Sequence, residues 1–120
     1  MLKIDVDVNR QVIVLEPDGP LREEDFVRLA GVVDPFLEAQ VPLDGIMVRT
    51  RDFPGWDSFG ALAGHIRFVR DHHRQIGKVA LVTDSPIGHL MPRLANHFVS
   101  AEIRHFPYAE ETAARDWLTA

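Results

Sequence analysis

The chain has 120 residues, 18 acidic against 13 basic for a formal charge of -5, and no cysteine. The missing cysteine excludes thiolate nucleophiles and Cys-held metal sites. The acidic balance argues against nucleic acid as a partner, because phosphate neutralisation supplies most of that affinity. The length suits one domain over 1–120, burying roughly two thirds of its unfolded surface without a staple. There is no basic-then-apolar leader and no apolar run near ~18 residues, so no signal peptide or membrane span is expected and the location is expected to be cytoplasmic.

Leu2, Ile4, Val6 and Val8 alternate with Lys3, Asp5 and Asp7, the period of a strand with one wet face. After a tight connection at Asn9-Arg10, Val12 to Leu15 are consecutive apolar residues in a strand over Gln11 to Glu16 that is buried on both faces. The two strands form an antiparallel hairpin with the N-terminal one at a sheet edge, where an unpaired edge leaves a homodimer open. Past the turn Pro17-Asp18-Gly19-Pro20, Phe26, Leu29, Ala30, Val33 and Leu37 recur at helical spacing, giving a helix over Arg22 to Ala39. Pro35 lies inside it, removes one backbone bond and presses on the carbonyl of Gly31, so a kink or break is expected there.

Ile46, Met47 and Val48, closed by Thr50, read as a strand buried on both faces of a mostly parallel sheet. A loop with the Pro54-Gly55 turn follows, and then Asp57 and Ser58, both good helix N-caps. In the second helix Phe59, Leu62, Ala63, Ile66 and Val69 form the apolar stripe, with Arg67, Arg70, Asp71 and Arg74 outside it. Gly77 opens a strand through Val79 to Val82, and Ser85-Pro86 is a helix start leading into Ile87, Leu90, Met91, Leu94, Ala95 and Phe98, interrupted by Pro92. A short strand over Ala101 to Phe106 and a last helix from Pro107, carrying Ala113, Ala114 and Trp117 with a Glu111–Arg115 pair, complete the chain.

The resulting order β, β, α, β, α, β, α, β, α implies right-handed crossovers. It predicts a single α/β domain: a mostly parallel five-stranded sheet with an antiparallel N-terminal edge strand, flanked by four helices. Charge is uneven along it. Glu16 to Asp44 hold eight acidic residues and two arginines, and Ala61 to Lys78 hold four basic residues, one aspartate and three histidines. Both stretches read chiefly as solvated helix faces.

Ligands of such sheets gather at strand C-termini, which points to the loop before the second helix. Ser58, between that strand and that helix, superficially matches the nucleophile elbow G-x-S-x-G, but Trp56 stands where the first glycine is required, so a hydrolase is not expected. The plain role of Asp57 or Ser58 is to cap the helix. Asp52, Asp57 and Asp84 at strand ends make no convincing active site. The six histidines, His65, His72, His73, His89, His97 and His105, match no ligand spacing and read as surface residues, so neither a metal nor another cofactor is expected.

The element order, the D-S-x-G signature of Asp57, Ser58 and Gly60, and the ending Ala101, Glu102, Ile103, Arg104 and Phe106 with Trp117 after it resemble the SpoIIAA-like family, which groups STAS domains with CRAL-TRIO-like lipid carriers. The STAS side of the resemblance implies that Ser58 is the target of a regulatory kinase and that only the unmodified form binds a protein partner; Phe59 stands where those regulators have a small residue. The carrier side implies a small apolar ligand or lipid between helices and sheet, with Phe53, Trp56 and Phe59 as a greasy mouth and a break at Pro35 or Pro92 as its opening. Core or lid packing would equally account for these aromatics. The expected function is that of a non-enzymatic regulatory or binding module acting through a protein partner, with carriage or sensing of a small apolar ligand as the alternative.

Overall fold

The computed structural model describes residues 1–7, 11–40, 43–86, 91–93 and 99–120. Strands β1 (Leu2–Asp7), β2 (Val12–Pro17), β3 (Gly45–Arg49), β4 (Lys78–Val82) and β5 (Glu102–Phe106) form one sheet in sequential order. β1 pairs antiparallel with β2, and every later pair is parallel. Helices α1 (Glu23–Glu38), α2 (Phe59–His72) and α3 (Glu111–Leu118) have described bounds. Residues 91–93 are also helical. The rest of the helix expected from Ile87 to Phe98, like the connection at Asn9-Arg10, lies outside the described residues.

Sequential strand order decides how the layers stack. Parallel crossovers are right-handed, so connections that step always the same way across a sheet fall on one face. α1 and α2 do so, packing together over Ile13, Leu15 and Ile46 through Phe26, Leu29 and Val33. α3 covers the opposite face, where Val12, Val14, Met47, Ala80, Val82 and Phe106 meet Ala114 and Leu118. The register aligns Ile13, Ile46, Val79 and Ile103 in one row across the α1–α2 face. Val14, Met47 and Ala80 form the matching row beneath α3.

α3 sits very close to the sheet at Gly45. A Cβ there would lie 2.6 Å from Leu118 Cδ2 and 2.7 Å from the Lys78 carbonyl oxygen. Only glycine allows that approach. α3 begins at Glu111 rather than Pro107 because the intervening residues close a turn, with the Glu110 N–H donating to the Pro107 carbonyl at 2.9 Å. The expected Arg115–Glu111 pair is present at 3.2 Å, and Arg115 also reaches Asp7 at 3.4 Å.

Two expectations for the helices need correction. α1 runs through Pro35 without a break. The proline falls in the last turn, where one lost bond matters least, and the Ala39 N–H closes that turn on the Pro35 carbonyl at 3.0 Å. In α2 the buried residues are Ala61, Gly64 and His72, whereas Phe59 and Ile66 of the expected stripe are 83% and 62% exposed. The face against α1 is made of small residues, Gly60 beside Glu23 and Gly64 beside Phe26 and Glu23, which lets the two helices approach.

Candidate functional site

β3 and β4 lie side by side and parallel, so their C-terminal ends share one rim. Backbone bonds keep that rim together past the strands: Thr50 N–H donates to Val82 O (3.0 Å) and Asp84 N–H to Arg51 O (3.1 Å). The loop then turns at Pro54-Gly55, with Gly55 at φ +81°, the left-handed value a type II turn needs after its proline. It docks on the start of α1: Leu21 N–H donates to Gly55 O (2.8 Å), and Asp57 N–H to Leu21 O (2.9 Å). α1 is anchored in turn by the buried Asp25 carboxylate, which accepts from Leu2 N–H (3.1 Å), Arg22 N–H (2.8 Å) and Arg28 Nη1 (3.1 Å).

These contacts divide the residues singled out from the sequence into two groups. Ser58 is the N-cap of α2, exposed and in extended backbone, and its Oγ accepts the Ala61 N–H at 3.1 Å. Its unstrained φ of -156° has nothing of a nucleophile elbow. Asp57 is exposed and 3.9 Å from Arg22, and with Ser58, Glu23, Glu24 and Val27 it lines a shallow surface depression. Gly60 lies in the first turn of α2, beside Glu23. Phe59 points outward rather than forming a mouth, because the cap places position 59 on the solvent side of the first turn.

Phe53 and Trp56 turn the other way. They line a cavity of about 310 Å³ between the sheet and the helix layer, together with Leu15, Val48, Val79 and Leu81 from the strands and Phe68 and Val69 from α2. The rings form a continuous wall: Phe53 meets Trp56 edge-on at 5.1 Å, and His65 stacks on Phe26 at 4.8 Å and lies 5.9 Å from Trp56. No lysine or arginine is among the described lining residues. The Thr50 and Thr83 hydroxyls at its rim are occupied, donating to Asp52 O (3.0 Å) and Arg51 O (3.2 Å).

The histidines are not the surface residues expected. His72 is buried, stacked on Phe68 at 4.1 Å, with one ring nitrogen 2.8 Å from the Phe68 carbonyl and the other 2.7 Å from Asp34 Oδ1. His73 Nδ1 accepts the Ser100 N–H at 2.9 Å. His65 Nδ1 accepts the Trp56 indole N–H at 3.2 Å, which fixes its remaining proton on Nε2. Burial pushes the His65 pKa below its ordinary value, because the charged ring would be desolvated. His105 Nε2 donates to Thr83 O at 2.8 Å, and His89 and His97 lie outside the described residues. Asp52, Asp57 and Asp84 do not act as a set. Asp84 accepts the Tyr108 N–H at 3.0 Å, whereas Asp57 faces Arg22.

A family profile described as SpoIIAA-like matches residues 12–119. The chain belongs to the SpoIIAA-like family. Among solved structures, an uncharacterised protein of the DUF3478 family with a SpoIIAA-like fold, from Shewanella loihica PV-4, superposes with a TM-score of 0.76 at 19% identity, covering 98% of this chain and 92% of that one. At that identity the likeness establishes the fold alone. No curated protein matches the SpoIIAA-like chain.

Two features of this SpoIIAA-like domain escaped the sequence. One is His65 in the chamber wall, since a histidine on an amphipathic helix carries no burial signal of its own. The other lies on the α3 face of the same rim, where Arg49 and Arg51 stack on Tyr108 at 4.0 and 4.9 Å and Arg49 also faces Glu111 at 3.7 Å. No helix among the described residues is long and apolar enough to cross a membrane.

Proposed function

We propose that the protein is a non-catalytic binding module whose site is the chamber behind Phe53 and Trp56, and that it takes a small apolar molecule there. The supporting observation is the chamber itself. At about 310 Å³ it falls in the range of small-molecule sites, roughly 300–1,000 Å³, and its wall is aliphatic and aromatic with no cation among the described lining residues. Native mass spectrometry of gently purified protein should show an adduct of small-molecule mass, and a Leu81→Trp variant, which fills the chamber, should lose it. A clean mass, together with failure of every apolar probe to bind either protein, would remove this reading.

A second reading has its own observation. Ser58 is exposed at the start of the helix that carries the chamber wall, beside Asp57 and Glu23. A phosphoryl group there would add about -1.5 to -2 charge, welcomed by the free N–H groups of the first turn but repelled by the neighbouring carboxylates. Modification would therefore loosen the α2 start and with it any protein partner docked on the rim. Ser58→Glu should alter both probe affinity and the set of proteins retained from a lysate, relative to Ser58→Ala. Indistinguishable behaviour of the two variants would eliminate the switch.

A further inference from the structure

We propose that the outer face of α1 and α2 is the interface of a symmetric homodimer, in which α2 of one copy lies antiparallel across α2 of a second. The inference is independent of the chamber. Three large apolar side chains stand on this face without cover: Phe59 is 83%, Val27 71% and Ile66 62% exposed. Phe59 and Ile66 are seven positions apart, so they share one side of α2, two turns or about 10 Å from each other, with the small Ala63 between them. Val27 belongs to the same surface. α1 and α2 run parallel, since Glu23 meets Gly60, Phe26 meets Gly64 and Asp34 meets His72 in step, and Val27 lines one depression with Asp57 and Ser58. α2 seats on the rest of the chain through Ala61, Gly64 and His72, so its periodic apolar stripe is left over from folding and is available to a partner.

The order of charges along the face identifies that partner as a second copy. At the start of α2, Glu23, Glu24 and Asp57 line the depression, and the one arginine paired with them is Arg22, 3.1 Å from Glu24. Towards the other end Arg67 and Arg70 are exposed, with Asp71 beside Arg70 at 3.0 Å and Asp34 engaged by His72. A surface that is acidic at one end, apolar in the middle and basic at the other complements itself when turned end for end. A twofold axis beside Ala63 sets Phe59 against Ile66 of the second copy and Asp57 against its Arg70, each contact made twice; both pairs have their midpoint within half a position of residue 63. The other surface open to self-pairing, the free edge of β1, is already partly covered, because the Leu2 N–H donates to Asp25 (3.1 Å) and Arg28 donates to the Leu2 carbonyl (3.0 Å).

The test is sedimentation velocity of the intact protein over a wide concentration range, which should show a reversible dimer. Phe59→Ser and Ile66→Ser should each weaken it by about a hundredfold or more, because every change is made twice in a symmetric interface. Both should keep the far-ultraviolet circular dichroism of the unsubstituted chain, since neither side chain is buried within one copy. Charge exchange then tests the orientation. Asp57→Arg alone and Arg70→Asp alone should each self-associate about tenfold more weakly, having only like charges opposed, whereas a mixture of the two variants has only opposite charges opposed and should regain the affinity of the unsubstituted chain. A protein that stays monomeric at every concentration would overturn the proposal. A dimer that survives both serine changes would overturn it in favour of another surface such as the β1 edge, and a mixture that binds no better than its separate components would overturn the antiparallel arrangement. If Phe59→Ser does not fold, Ile66→Ser and the charge-exchange mixture decide.

Discussion

The two faces of the sheet are built from the same strands and end differently. Under α3, Val12, Met47, Ala80, Val82 and Ala114 have no exposed surface, and Gly45 lets Leu118 rest on the backbone of β3. Under α1 and α2 the side chains are larger, yet a chamber remains between Val48, Leu81, Phe53 and Trp56. Small residues at the contact let one helix settle onto the strands, whereas bulky aromatics hold the other layer off them. Interiors are normally packed as densely as organic crystals, so the space left on the α1–α2 face is the observation on which the proposed ligand site rests.

Substitutions on the two faces should therefore differ, and the largest effect belongs to Gly45. Gly45→Val must push either Leu118 or β4 away and should cost more than about 3 kcal/mol, read as a lower urea midpoint, with loss of the folded state as the extreme outcome. A milder cost, near that of adding a methyl group to a glycine with open space around it, would mean that α3 is not seated as described. Next come neighbours on β4 that point to opposite faces. Ala80→Leu should cost about 1–3 kcal/mol by overpacking, while Leu81→Phe should be neutral or stabilising by up to about 1 kcal/mol, because it grows into empty space. Equal costs at the two positions would abolish the contrast.

Ser58→Ala should cost about 1 kcal/mol through the lost cap on α2 and leave the α3 face untouched; hydrogen exchange should accelerate in the first turn of α2 and not beneath α3. The smallest effect is that of pH. His65 is held below its unfolded pKa, so the unfolded chain binds the extra proton first. The stability His65 contributes is thus complete above about pH 6.5 and is lost as pH falls through the lower folded value. His65→Phe should flatten that part of the profile in urea titrations between mildly acidic and neutral pH, and an unchanged slope would show that the ring is not desolvated.

Much of the fold was legible because short continuous apolar runs at Val12 to Leu15, Ile46 to Val48 and Val79 to Val82, bounded by turn residues, read as strands covered on both faces, and Asp57-Ser58 offered two adjacent caps of which Ser58 is the one used. The orientation of α2 was not legible. Apolar periodicity selected Phe59 and Ile66, but the contact with α1 is made by Gly60 and Gly64, whose role is absence of bulk, and absence leaves no hydrophobic signal. For the same reason the site was half seen. Phe53 and Trp56 were identified as apolar and do line the chamber, whereas His65 and His72 are interior through pairings with Trp56 and Asp34 that lie 9 and 38 positions away in sequence.

The sequential strand order also bears on synthesis. Each new strand adds beside the one made just before it, so a nascent chain can assemble the α1–α2 layer as it emerges, without waiting for distant segments. The α3 side has no such advantage. A chain released before Glu111 would leave Val14, Met47, Val82 and Phe106 uncovered, and the truncated product should be far stickier than its missing length suggests.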